Sequence, residues 1–327
     1  MIFKCKNCGG QMVYHPLKGI MICRSCDGEE TQDQILSDIP KMCPGCGAEL
    51  KVEQYTSATK CESCGTFVIL DNMVKYPYGP NVVLPFNIDK QKATEILRTE
   101  FLNSLFLPRN FLADSTLESL DGEYVPFWLY DYDTKINYSG IGTIIKTWTT
   151  GNTAYTETSK YQVVRKMDIE FKRIPIDASE KMADTVMDLM EPYDYKSFHL
   201  FEPKYLSGFY GEAYNFTPDE IEPRAKEKAS SDAKAWLNDS IKQYNSVVDS
   251  STNIDFTKKG NEFALLPVWK YTYRYKDKNH DFYVNGQTGK TYGSIPVCSE
   301  KLIGYSGLVF AVVTLFLFAL QKFLEVM

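Results

Sequence analysis

The fold of the N-terminal region is decided by two stretches that share one cysteine pattern. Residues 5–26 read CKNCGGQMVYHPLKGIMICRSC, and residues 43–64 read CPGCGAELKVEQYTSATKCESC. Each stretch contains a CxxC pair, fourteen further residues and a second CxxC pair, and the second stretch repeats the first after 38 residues. This regular spacing indicates that one small unit has been duplicated.

The paired cysteines predict two structural zinc sites. Zn²⁺ prefers four soft ligands at the corners of a tetrahedron, and a CxxC turn supplies two of them. Four thiolates leave no open coordination position, so neither ion is expected to be catalytic. A cross-braced arrangement, in which the first and third pairs share an ion, remains open but fits the serial duplication less well. The predicted ligands are Cys5, Cys8, Cys23 and Cys26 for one ion, and Cys43, Cys46, Cys61 and Cys64 for the other.

The N-terminus has no secretory signal, which favours metal over disulfides. Residues 1–10 contain two lysines and two cysteines and lack the apolar run of a signal peptide, so we expect the N-terminus to stay in the cytosol. Cysteines remain reduced in that compartment. Between the cysteine units, the acidic linker of residues 27–41 is expected to hold a short helical turn.

The central part of the chain predicts an α+β body with an antiparallel sheet. Apolar residues at helical spacing predict a helix after Asp89, and capping signatures predict helices over 177–190 and 221–244. Runs rich in β-branched and aromatic residues predict strands over 124–150 and 154–176, which a turn at residues 151–152 would join as a hairpin.

A fainter repeat within the body suggests two related α+β halves. VPFWLYDY at residues 125–132 matches LPVWKYTY at residues 266–273. Trp128 and Trp269 lie in these two segments. We interpret them as the packed face of a sheet, because large aromatic side chains dominate protein cores. An aromatic platform that stacks on bases is the alternative.

The C-terminal region predicts one transmembrane helix. Residues 302–320 are nineteen residues without a charge, and at about 1.5 Å per residue they cover roughly the 30 Å hydrocarbon core of a bilayer. The sequence therefore predicts a single-pass, tail-anchored protein of the cell membrane. Cys298 precedes the helix, and we interpret this lone thiol as incidental, with acylation as the alternative. The expected divisions are zinc ribbon 1 (1–30), zinc ribbon 2 (40–74), the α+β body (82–300) and the transmembrane helix (302–320).

Charge and composition weigh against two classes of function. The net charge is −6, and residues 1–74 contain seven lysines and arginines against nine acidic residues. Nucleic-acid binding depends on neutralising phosphates, so this balance disfavours nucleic acid as a partner. His15, His199 and His280 lie far apart without a nucleophile or metalloprotease motif around them, so we predict that the protein is not an enzyme.

The complete layout resembles bacterial TFIIB-type zinc-ribbon membrane proteins over nearly the whole chain. Besides the paired ribbons and the C-terminal helix, the resemblance rests on LPFNI (84–88), EYVPFWLY (123–130), LPVWKYTYRY (266–275) and VNGQTGK (284–290). Some members are similar to primosomal helicase ribbons, but this sequence has no Walker A loop and cannot be that helicase. A better understood relative belongs to a phage-shock-type envelope stress system of Firmicutes. That resemblance implies recruitment of an SPFH-like protein, and through it phage-shock protein A, to the membrane.

These observations favour a membrane-anchored, cytosol-facing zinc-ribbon adaptor that recruits a protein partner to the lipid bilayer. Confining a binding surface to a membrane raises its effective concentration there. The alternative is a membrane-tethered nucleic-acid-binding or transcription regulator.

Overall fold

The computed structural model describes the chain except for residues 30–31, 36–40, 76–78, 103, 109, 118 and 327. The strands are β1 (Ile2–Cys5), β2 (Met12–His15), β3 (Ile20–Cys23), β4 (Gln32–Ile35), β5 (Thr56–Lys60), β6 (Phe67–Ile69), β7 (Val82–Val83), β8 (Asp121–Thr150), β9 (Thr153–Asp177), β10 (His199–Leu200), β11 (Tyr210–Glu212), β12 (Ser246–Tyr275), β13 (Lys278–Asn285) and β14 (Thr291–Gly293). The helices are α1 (Asp71–Val74), α2 (Lys90–Phe101), α3 (Asp114–Leu117), α4 (Asp184–Met190), α5 (Pro218–Ile241) and α6 (Ser299–Val326).

The N-terminal cysteine region is built from short strands that pack on each other and on the body. β2 and β3 form a hairpin, and β1 pairs with β4. The expected helical turn in the 27–41 linker is therefore wrong for residues 32–35, because their backbone pairs with the edge of β1 instead. The two units also meet directly, since the amide of Ile69 donates to the carbonyl of Met1 at 2.9 Å.

One large sheet joins the second cysteine unit to the body. Its strand order is β10-β7-β12-β8-β11-β5-β6, with β9 on β8, β13 on β12 and β14 on β13. β8 and β12 are thirty residues each and pair antiparallel at its centre. The two repeated segments meet at one pair, where Val125 lies opposite Leu266, and extend from it in opposite directions along the two strands. The sheet is therefore continuous across both predicted halves.

Part of this sheet extends as a ribbon with its own core, which we call the arm (residues 130–176 and 218–260). It comprises most of β8 and β9 and the first half of β12, and α5 packs across one face of all three strands. A capping box at Thr217 and Pro218 at the helix start explain why α5 begins there. The buried face of α5 repeats every four residues, and its small side chains let the helix approach the strands closely: Ile221, Ala225, Ala229, Ala233, Leu237 and Ile241.

The sequence located most of these elements but misplaced the bounds of two helices; the helix predicted over 221–244 runs from Pro218 to Ile241. α2 begins after Asp89 as predicted, with the Asp89 side chain accepting from the amide of Lys92 at 2.8 Å. The hairpin turn at residues 151–152 is also confirmed. The helix predicted over 177–190 is wrong in its first part, because α4 begins only at Asp184. Asp177 instead ends β9, where its buried carboxylate contacts Arg224 of α5 at 3.1 Å.

The C-terminal helix α6 stands apart from the core. Residues 299–322 have a mean hydropathy of 2.3 and none of their apolar window is buried in the protein. It is the one helix in the described part of the chain that is long and apolar enough to cross a membrane. Its start lies beside the end of β12, because Lys276 Nζ donates to Ser299 Oγ at 2.7 Å.

Candidate functional site

Each cysteine unit gathers its four sulfur atoms at one point. Among the described residues, these two groups of four are the ones whose ligand atoms all lie within 4.8 Å of one another. In the first unit Cys5 lies 3.7 Å from Cys26 and Cys8 lies 3.5 Å from Cys23. The corresponding distances in the second unit, Cys43–Cys64 and Cys46–Cys61, are 3.7 and 3.8 Å. The grouping is serial, and the cross-braced alternative does not occur.

These distances fit a tetrahedral metal ion. A Zn–S bond of about 2.3 Å places the sulfurs of a tetrahedral site about 3.8 Å apart. In each unit the first and third cysteines are buried and the second and fourth are exposed. A metal ion in either group would therefore sit at the boundary between a small core and solvent. Sulfur donors alone select zinc or an iron centre among common metals.

The chain bends in the same way at all four CxxC turns. The residue after the second cysteine has a left-handed backbone in each case, at Gly9, Asp27, Gly47 and Gly65, with φ between 55° and 75°. Its amide donates to the carbonyl of the first cysteine at 2.8 to 3.1 Å. Glycine is favoured at such φ values and aspartate tolerates them, so Asp27 preserves the turn.

Further backbone amides point at the sulfurs. The amides of Gly10, Ser25 and Gly45 lie 3.4 Å from the sulfurs of Cys8, Cys23 and Cys43. Amides aimed at sulfur favour the thiolate, which is the form that binds metal. The amide of Cys8 is the main cause that lowers the pKa of Cys5 to about 6.

Cys43 lies in a more apolar setting. It packs in a cluster with Ile2, Leu50 and Val68, and this burial is the main cause that raises its pKa to about 12. A metal ion would hold this thiol deprotonated despite its surroundings. Removing the ion would leave four close sulfurs, one of them in a small apolar core, so the second unit is expected to depend strongly on its metal.

The aromatic residues singled out in the sequence belong to the core. Trp269 is buried, and its indole N–H donates to the carbonyl of Ile88 at 2.9 Å. The Trp128 indole donates to the carbonyl of Phe216 at 2.9 Å. Trp269 therefore packs inside the fold, and the partly buried Trp128 packs against the core at Tyr214 and Phe263, which fits the packed interpretation. Cys298 is also buried, and the interpretation of its thiol as incidental stays a prediction.

A second candidate surface lies at the far end of the arm, and the sequence analysis missed it. Exposed apolar residues gather there on both faces of the ribbon, whereas most of the outer face nearer the body is charged or polar. Trp148 and Tyr155 face each other across β8 and β9 with ring centroids 5.7 Å apart. The sequence did contain a signal for this surface. Apolar residues continue along β8 up to the turn at residues 151–152, farther than α5 extends to cover them. We call this surface the arm tip: Ile141, Ile145, Trp148, Tyr155, Val164 and Val248.

Comparison with known proteins identifies one clear relative. No family model matches this chain, and no solved structure matches it. The chain is 35% identical over 321 residues to "Uncharacterized protein YdjG" of Bacillus subtilis (strain 168). This similarity covers 93% of this chain and 92% of the relative. The chain belongs to the same protein family as Bacillus subtilis YdjG.

Proposed function

We propose that this protein is a membrane-anchored adaptor, with two structural zinc ions and a cytosol-facing body, that presents the arm tip to a protein partner. The observation that carries the proposal is the path of β12. This strand starts at Ser246 opposite Thr143, close to the arm tip, and ends at Tyr275 beside the start of α6. One continuous strand thus connects the membrane end of the molecule to the exposed apolar surface.

The length of β12 gives the adaptor its reach. From Tyr275 to Ser246 the chain makes 29 residue steps, which at about 3.3 Å each is a path of roughly 95 Å. Twist and the bulges at 249–251 and 258–260 shorten the direct span. A strand of this length can hold the arm tip well away from the bilayer, where a peripheral protein would reach it.

The arm tip has the chemistry of a protein-binding surface. Val248 lies directly opposite Ile141 on the face of the ribbon away from α5, and Val164 is on the same face. Val248, Val164 and Trp148 are 67%, 51% and 47% exposed. Hot spots of protein interfaces combine exposed aromatic anchors with surrounding apolar contacts. The outer face nearer the body is charged or polar instead: Asp133, Lys135, Asn137, Lys166, Asp168, Glu170 and Lys172.

Zinc has a structural role in this proposal. The first cysteine unit packs against the body, where Ser207 Oγ donates to the carbonyl of Met12 at 2.7 Å. The second unit adds β5 to the sheet through β11. The resemblance to TFIIB-type zinc-ribbon membrane proteins supports the zinc-ribbon interpretation. It also nominates an SPFH-like or phage-shock-type protein as the partner.

The test compares the intact protein with a chain that ends before Leu302. We expect the intact chain in the membrane fraction after alkaline extraction, the truncated chain in the soluble fraction, and the partner at the membrane only with the intact chain. The apolar run of α6 is the physical reason. A truncated chain that remains in membranes would contradict anchoring by α6.

The nucleic-acid alternative has its own test. The zinc-loaded truncated chain is titrated with duplex and single-stranded oligonucleotides at low salt. A binder that contacts several phosphates loses about 0.9 log units of affinity per contact for each tenfold rise in salt. We expect no such binding, and salt-sensitive micromolar binding would favour the regulator over the adaptor.

A further inference from the structure

The base of α6 is surrounded by apolar residues that the core does not bury. The loop that follows α2 carries Leu102 and Leu105, which are 74% and 65% exposed. The segment before α6 carries Ile295 and Val297, which are 49% and 51% exposed. Exposed apolar side chains on the two segments that flank the helix base are unfavourable in water, so a partner that covers them would stabilise the protein.

Three contacts attach this loop to the start of α6. The amide of Cys298 donates to the carbonyl of Phe106 at 2.7 Å, and Lys301 Nζ donates to the carbonyl of Leu107 at 2.7 Å. The Phe106 ring meets the Tyr305 ring edge to face, with centroids 5.6 Å apart. Leu105 and Val297 each neighbour a residue of the first hydrogen bond, so both lie at the helix base.

The position of Tyr305 sets the depth of the loop. Tyr305 is six residues beyond the helix start, or about 9 Å along the axis, and about 4.5 Å beyond Leu302, where the charge-free run begins. If that run fills the hydrocarbon core, Tyr305 lies just inside its boundary. Phe106 contacts Tyr305, so the loop lies at the same level, where aromatic rings are enriched in membrane proteins.

No flexible linker separates the body from the helix. Cys298 immediately precedes α6, is buried, and is hydrogen-bonded to the loop. Lys276, on the turn after β12, also donates to Ser299 of the first turn. Lysines at this level can keep their charge among the headgroups while their stems cover apolar surface. The body is thus fixed to α6 and cannot swing its base away from the bilayer.

We propose that Leu102, Leu105, Ile295 and Val297 insert into the interfacial layer of the leaflet from which α6 emerges. The occupant of this surface is the lipid bilayer itself. The inference rests on the proposed anchoring by α6. It extends that proposal, because the body would contact the membrane directly as well as being attached to it through α6. Docking would fix the orientation of the arm relative to the membrane.

The test uses the intact protein in phosphatidylcholine vesicles whose acyl chains carry bromine, a contact quencher of tryptophan. Four full-length variants are compared: Leu105→Trp, Val297→Trp, Phe310→Trp within α6 and Val248→Trp on the arm tip. The parent protein contains four native tryptophans. The emission of each added tryptophan is therefore obtained by subtracting the emission of the parent from that of the variant. Two positions at the helix base are included so that, if one variant fails to fold, the other still tests the proposal.

We expect loss of the added emission in brominated vesicles at positions 105, 297 and 310, with a blue shift at the two base positions, and no loss at position 248. Quenching at 310 without quenching at 105 and 297 would overturn membrane docking while leaving the anchor intact. Absence of quenching at 310 would overturn the anchor, and with it this inference. Equal quenching at 248 would also overturn it, because the arm tip would then lie on the bilayer.

Discussion

The cysteine region and the arm are both built from antiparallel strands, yet different interactions hold them. Strands β1 to β6 have three to five residues each and surround small cores such as that of Ile2, Leu50 and Val68. The arm takes its strands from β8, β9 and β12, which have 25 to 30 residues, and a 24-residue helix packs across them. Small units with so little apolar surface depend on metal, whereas the arm buries enough to fold on its packing.

The largest expected effect is on the metal-dependent side. Cys61→Ser should reduce the zinc content from two ions per chain to one and unfold the second cysteine unit, because metal binding supplies about 10 to 16 kcal/mol in structural zinc sites. Metal analysis of reduced protein and hydrogen exchange of β5 and β6 would measure both effects. The matched control is Cys298→Ser, which changes the cysteine outside the two groups.

Two results would contradict this account of the cysteine region. A wild-type chain with fewer than two zinc ions, although kept reduced, would refute the paired sites. Retention of two ions by Cys61→Ser, or loss of zinc by Cys298→Ser, would refute the assignment of ligands.

A smaller effect is expected from the arm core. Phe171 is 7% exposed and its ring stacks on Trp236 of α5 at 5.6 Å. Phe171→Ala should cost about 3 to 5 kcal/mol through lost burial and a cavity, with both zinc ions retained. Trp148→Ala at the exposed arm tip should change stability by no more than about 0.5 kcal/mol. Denaturant unfolding measures both changes in stability, and metal analysis measures the zinc content. Loss of zinc in Phe171→Ala would contradict the conclusion that the cysteine region and the arm are stabilised independently.

A stability effect smaller than that of Phe171→Ala is pH-dependent and lies where α5 meets the end of β9. Burial is the main cause that raises the pKa of Asp177 to about 6. A carboxyl whose folded pKa is raised contributes stability below its unfolded pKa, near 3.8, and loses it as pH rises through about 6. Between about pH 3.8 and pH 6, the free energy of unfolding of the wild type should therefore fall by at most about 3 kcal/mol on account of this carboxyl. Asp177→Asn should not show this fall.

Arg224 keeps an ionic partner in that variant, because it also contacts Asp184 at 3.0 Å. The measurement is the difference in unfolding free energy between the wild type and Asp177→Asn at pH 4, 5, 6 and 7. Comparison with the variant cancels the effect of acid on the zinc sites. A constant difference across this range would contradict the raised pKa.

The sequence predicted what depends on local spacing. Repeated CxxC pairs predicted both sulfur groups, the charge-free run predicted α6, and the turn at residues 151–152 between two runs rich in β-branched and aromatic residues predicted the β8–β9 hairpin. The capping box at Thr217 likewise located α5. Each of these signals is contained within a few neighbouring residues.

The sequence did not predict features that depend on distant pairing. The strand at 32–35 forms because β1 offers an edge, and Asp177 mimics a helix cap while pairing with Arg224 across the arm. The arm tip escaped notice because its residues come from three strands. Val248 meets Ile141 only through the register of β8 and β12.

The central claim is that the arm tip of the membrane-anchored protein binds a protein partner. The most direct measurement places a photoreactive amino acid at Trp148, or at Asn137 on the polar outer face as the control, and irradiates intact membranes. We predict one defined protein adduct from position 148, none from position 137, and loss of the adduct when Tyr155→Asp is added, because Tyr155 stacks beside Trp148 on the same face. Equal adducts from both positions, or an adduct that survives Tyr155→Asp, would contradict the account.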